Sequence, residues 1–106
     1  MNTVEQLSFG LRRQSPAGYA ETIERVKAVL KEQGFGILTE IDVKATLKAK
    51  IGADVAPYII LGACNPRFAY RGVQVEPSLG LLLPCNVVVR HQAGVTVVET
   101  IDPETM

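Results

Sequence analysis

The chain has 106 residues and a mass of 11.5 kDa, enough for one hydrophobic core and too short for two. Eleven Lys and Arg offset eleven Asp and Glu, so the formal net charge is zero, which argues against a protein that grips nucleic acid or an anionic membrane by bulk charge. A hydrophobic share of 47% and a mean hydropathy of +0.18 are too apolar for a disordered chain, and no apolar run approaches the ~18 residues that span a bilayer.

Leu7, Phe9 and Leu11 alternate with Ser8, Gly10 and Arg12, the period-two pattern of a half-buried strand. Ser15-Pro16 then reads as a helix start, a capping hydroxyl followed by a proline whose missing N–H costs nothing in the first turn. Ala20, Ile23, Val26 and Leu30 keep helical spacing, Glu21 and Arg25 are placed to pair four residues apart, and Gly34 ends the helix. A second strand runs from Phe35 to Ile41, with Ile37, Thr39 and Ile41 on one face. Asp42 caps a short helix whose stripe is Val43, Leu47 and Ile51; Lys44, Lys48 and Lys50 lie off that stripe as a solvated face, and Gly52 closes it.

Tyr58 to Cys64 is apolar on both parities, the pattern of an interior strand covered on both faces. Asn65-Pro66 opens a third helix through Arg67, Phe68, Ala69, Tyr70 and Arg71, which Gly72 weakens and Pro77 ends. A leucine-rich link leads to Pro84. A strand from Cys85 to His91, a turn at Gln92-Ala93-Gly94 and a strand from Val95 to Ile101 form a β-hairpin. Asp102-Pro103-Glu104 is one more helix-start signal, two residues from the end of the sequence. The order β-α-β-α-β-α-β-β predicts a single α+β domain over residues 1–106: a two-layer sandwich, one mixed or antiparallel sheet with helices mainly on one face. The helix announced at Asp102 and not continued leaves apolar sheet surface to be covered, for which a homodimer is the simplest solution.

Two cysteines are too few for a disulfide scaffold, and residues 1–14 carry no secretion signal, so reduced thiols and a cytoplasmic location are expected. Four ligands for a structural zinc are not at hand. The single histidine, His91, stands six positions from Cys85 on one strand, roughly 20 Å away at ~3.3 Å per residue. Cys64 is the leading candidate for chemistry. It ends the central strand directly before the Asn65-Pro66 helix start, where the helix dipole favours a thiolate, and Arg67 and Arg71 share a face of that helix. Cys85-Asn86 repeats the Cys64-Asn65 pairing at another element boundary. On neighbouring strands the two thiols would meet at one end of the sheet, to form a reversible disulfide or hold a soft metal ion across a dimer. The alternative is that both cysteines only fill space. His91 reads as a solvated loop residue, and Tyr58 and Tyr70 as core or interface aromatics. No Ser/His/Asp set, carboxylate pair or glycine-rich phosphate loop is present.

Tyr58-Ile59-Ile60-Leu61-Gly62-Ala63-Cys64-Asn65-Pro66 with Ala69-Tyr70, Gly80-Leu81-Leu82-Leu83-Pro84-Cys85-Asn86-Val87, Ile101-Asp102-Pro103, and Gly34-Phe35-Gly36 leading into Glu40-Ile41-Asp42-Val43-Lys44 resemble the domain-of-unknown-function 302 family of bacteria and archaea. The resemblance implies an α+β fold and a dimer. It marks Cys64, Asn65, Pro66, Pro84 and Cys85 as characteristic positions and implies no reaction and no cofactor. Members of that family commonly continue past the Asp-Pro into another helix, whereas this sequence ends at Met106. Three functions are consistent with these residues. The first is a homodimer that binds a small ligand or soft metal, or senses redox state, through Cys64, Asn65, Arg67, Arg71 and Cys85. The second is an enzyme with Cys64 as nucleophile. The third is a structural or partner-binding module.

Overall fold

Ala93 and Gly94 take φ of 53° and 77°, the two-residue turn whose twist matches an antiparallel pair. It sets Gln92 opposite Val95 and fixes the register of the sheet's centre. Around that hairpin the computed structural model, which describes residues 3–8 and 10–101, builds one antiparallel sheet of six strands. In chain order the elements are β1 (Val4–Gln6), β2 (Gly10–Ser15), α1 (Tyr19–Glu32), β3 (Gly36–Asp42), α2 (Val43–Ile51), β4 (Tyr58–Cys64), α3 (Pro66–Val75), a 3-10 helix (Pro77–Leu82), β5 (Cys85–Gln92) and β6 (Val95–Ile101). Across the sheet the strands run β1-β2-β6-β5-β4-β3. The α+β class and the order of the expected elements hold. The short β1 is added ahead of them, the leucine-rich link contains a 3-10 helix, and Asp102-Pro103-Glu104 lies outside the described residues.

One face of the sheet carries Leu61 and Ala63 from β4 and Val89 from β5, all essentially without solvent exposure. Helix α1 lies on this face, its Lys27 bonded to Glu40 of β3 at 3.0 Å and its buried Thr22 to Ser15 of β2 at 2.7 Å. The other face is less covered. It carries Arg12, Glu99, Arg90, Tyr58, Val88 and Ile60, and the chain from Leu81 to Pro84 stands against it. A Cβ on buried Gly62 would meet the Pro84 ring at 2.8 Å and the Thr39 hydroxyl besides, so glycine is what lets this leucine arm close on the sheet. Strand β4 is interior, as its sequence implies, but its second face is covered fully only at Gly62.

Three local expectations are corrected. Ser15 ends β2 opposite Thr96 instead of capping α1; its hydroxyl accepts the Ala17 N–H, and α1 begins at Tyr19 behind Gly18. Strand pairing holds Ser15 in the extended conformation and delays the helix. Ile37, Thr39 and Ile41 do not share a face. Ile37 lies opposite Ala63 and Thr39 opposite Gly62, so a bulge at Leu38 inserts one residue and inverts the alternation. His91 is a half-buried strand residue, its Nδ1 hydrogen-bonded at 2.9 Å to Thr96, not a solvated loop. The helix ends follow the sequence closely: Gly34, at φ 86°, closes α1 with the Phe35 N–H bonded to Leu30 O. Asp42 caps α2 through Ala45 N–H, and Gly52 ends it in the left-handed conformation.

Candidate functional site

The less covered face and the leucine arm enclose a cleft of ≈ 710 Å³, within the range of ~300–1,000 Å³ typical of small-ligand sites. Its floor is Arg12, Glu99, Tyr58 and Val88, its wall is Leu81 to Pro84, and Leu7, Ser8, Gly10, Thr100 and Ile101 form one rim. Cys85 and Asn86 close the end where β5 begins.

The floor is organised by Glu99. Its Oε2 accepts the Arg12 Nε–H at 2.9 Å and its Oε1 the Arg90 Nε–H at 2.7 Å. Arg12 lies directly across from Glu99 on β2; Arg90 reaches it diagonally from β5, two residues along from Val88, its opposite number. Only 16% of the Glu99 side chain is exposed. Burial pushes its carboxyl up, but the hydrogen bonds and charges of the two guanidiniums outweigh that and hold it below the ordinary 4.5. The same contact raises the Arg90 guanidinium against the opposing effect of burial, helped by Tyr58 beside it. Two cations and one anion leave this network at a net charge of +1. Glu5, opposite Arg12 on β1, approaches Arg12 Nη1 only to 3.6 Å and is 59% exposed, a contact that solvent screens.

The residues singled out from sequence sit elsewhere, with one exception. Cys85 is exposed and lines the cleft; Cys64, Asn65, Arg67 and Arg71 do not. Cys85 lies opposite Ala63, so Cys64, one residue further on, points to the other face of the sheet. The strands are neighbours and the cysteines share one end of the sheet, yet within a subunit the register does not bring their thiols together. Both are free. Among the described residues no three His, Cys, Asp or Glu gather in a way that could hold a metal ion. Asn65 caps α3, its Oδ1 accepting the Arg67 and Phe68 N–H groups at 3.2 and 3.3 Å. A Cβ at Gly34 would stand 3.4 Å from Asn65 Nδ2, so the turn ending α1 abuts this cap. Arg71 lies over the Phe68 ring at 5.3 Å.

Sequence reasoning missed Arg12, Arg90 and Glu99, because single charges on the outward parity of strands read as solvated. Half of the network was within reach. The Ala93-Gly94 turn places Arg90 opposite Val97 and hence diagonal to Glu99. Arg12 joins only through β2–β6 pairing, which spans most of the chain.

A sheet of this order, with three helices in the β-α-β connections and a 3-10 segment before the last hairpin, defines a small α+β domain. A family profile, domain of unknown function DUF302, matches residues 11–106, and the chain belongs to that family. It is similar to an uncharacterised conserved DUF302 protein from Bacillus stearothermophilus, known from its crystal structure. The TM-score is 0.86 at 33% sequence identity, over 93% of this chain and 77% of that one. No curated protein matches. Among the described residues no helix is long and apolar enough to cross a membrane.

Proposed function

We propose that the protein is a cytoplasmic homodimer that reversibly holds a small amphipathic molecule in the cleft between the sheet and the leucine arm. The observation that carries this reading is Glu99. A half-buried carboxylate fixed between two arginines, on the floor of a cleft walled by leucines, is a costly arrangement for a surface without a task, and convergent polar groups beside an apolar wall are the usual form of a ligand site. The dimer is supported by apolar side chains on and after α3 that the single chain leaves exposed, Val75 at 87% and Leu81 at 88% among them. Of the cysteines, Cys85 borders this site where β5 begins, although its strand parity is that of Ala63 and the α1 face. Joint use of Cys64 and Cys85, for a metal or a redox change, would have to pair them between subunits.

The test is a titration of ¹⁵N-labelled protein with octan-1-ol, a neutral amphiphile, followed by amide shifts. Saturable shifts at Tyr58, Val88 and Glu99 are the expected result. Shifts confined to α3, or none, would remove the cleft from consideration.

A further inference from the structure

We infer that the occupant of this cleft is an amphipathic monoanion, a carboxylate on an apolar chain, and that the Nη edge of Arg12 is its anchor. The inference rests on the cleft being a ligand site and adds what the ligand must carry.

Donor bookkeeping on the floor selects Arg12. A guanidinium offers five N–H donors in a planar fork. Arg90 spends Nε on Glu99 Oε1 and Nη1 on Gln92, and turns Nη2 toward Glu99 Oε2 at 3.5 Å; it does not line the cleft. Arg12 spends only Nε on Glu99, at 2.9 Å. Its Nη1 approaches the exposed Glu5 only to 3.6 Å, and Arg12 itself lines the cleft. The side chain is therefore oriented by a half-buried carboxylate while its outer edge stays open for exchange. A carboxylate placed there accepts two parallel N–H bonds, the geometry to which arginine is suited.

Charge sets the valence of the ligand. The network of Arg12, Arg90 and Glu99 carries +1, which a monoanion neutralises and a dianion exceeds. Glu5 is the competitor for that charge, and a solvent-screened contact is easily surrendered. The lining sets the remainder: Leu81, Leu82, Leu83 and Val88 offer an apolar chain a surface, and among the described lining residues no cation besides Arg12 stands ready for a second anionic group. Because Arg12 is held in place before the ligand arrives, little ordering is left for binding to impose. Displacing Glu5 also removes a side-chain tie between β1 and β2, so ligand binding loosens the edge strand Val4–Gln6.

The experiment compares octanoate with octan-1-ol at pH 7, by amide shifts and calorimetry, on the wild-type chain, Arg12→Gln and Glu5→Gln. In the wild type octanoate binds at least about tenfold tighter than the alcohol, the scale of one charge-assisted contact. In Arg12→Gln that preference falls to within about twofold. In Glu5→Gln, a substitution at an exposed site that leaves the core untouched, octanoate tightens roughly two- to threefold while the alcohol is unchanged, as removal of a weak surface competitor predicts. Should Arg12→Gln fail to fold, Glu5→Gln decides alone: octanoate binding that is unchanged or weaker overturns the anchor. Equal wild-type affinities for acid and alcohol at the cleft amides overturn the anion and leave the cleft standing. If neither compound shifts those amides, both readings fall.

Discussion

Glu99 is where the chemistry of single residues bears most directly on stability. Its carboxyl titrates below its ordinary value in the folded chain, so on acidification the unfolded chain takes up the proton first. The stabilisation is therefore complete above the ordinary range, at about pH 5 and higher, and disappears as pH falls through the lower folded value. Glu99→Gln keeps the shape and loses the charge. At pH 7 it should cost about 1–2 kcal/mol, since Arg12 and Arg90 then stand side by side with weaker acceptors. Below pH 4.5 the deficit should shrink, because the wild type is losing what the variant never had. Urea melts of both proteins from pH 7 to pH 3 measure this. A deficit that stays constant across the range would show that Glu99 is not held low by its neighbours.

Among the helices, α3 joins a firm N-terminal cap to sides that are largely exposed. Asn65 accepts two of its free N–H groups, Leu79 of the 3-10 helix abuts Gly72, and Phe68, Tyr70 and Val75 remain exposed. With little packing to replace it, the cap governs the first turn. Asn65→Ala should weaken α3 by about 1 kcal/mol, raising hydrogen exchange roughly fivefold at amides 67–70 while the amides of β4 and β5 stay protected. An equal rise across the sheet would mean that α3 unfolds only with the whole molecule. This locality also explains how much was legible in the sequence. Asn65-Pro66, Asp42, Gly52 and Gly34 act through neighbours in the chain, and all four end or begin helices where the sequence places them. Ser15 carries the same capping chemistry as Asn65, but a partner strand some eighty residues away claims its backbone first. The bulge at Leu38 is likewise invisible until β4 is alongside. So is the site: Arg12 and Glu99 are unremarkable charges until pairing of β2 with β6 sets them face to face, whereas the cysteines drew notice for chemistry their strand parity keeps apart.

At the scale of the molecule the chain exposes more than its size requires. A folded monomer of 11.5 kDa presents about 5,800 Å² to solvent, and this one presents 7352 Å². The surplus is roughly twice the ~800 Å² that each partner buries in an ordinary stable interface. The Cα radius of gyration, 14.8 Å, also exceeds the roughly 13 Å of a compact chain of this length. Exposed apolar side chains cluster on α3 and the 3-10 helix, where Phe68, Val75, Leu81 and Leu82 are all more than half exposed. A second copy seated on this surface would cover the helix that the sheet leaves bare and would brace the leucine arm against the cleft. Sedimentation equilibrium should give twice the chain mass at micromolar concentration. Val75→Asp combined with Phe68→Asp, both at exposed α3 positions outside the cleft, should raise the dissociation constant at least about a hundredfold while the subunit stays folded, since burying two unpaired carboxylates costs several kcal/mol. The arm would then be free to open, so octan-1-ol binding at Tyr58 and Val88 should weaken in the same variant. A wild-type chain that sediments as a monomer would refute the dimer outright. A dimer unmoved by both aspartates would place its interface on another face and detach the cleft from assembly.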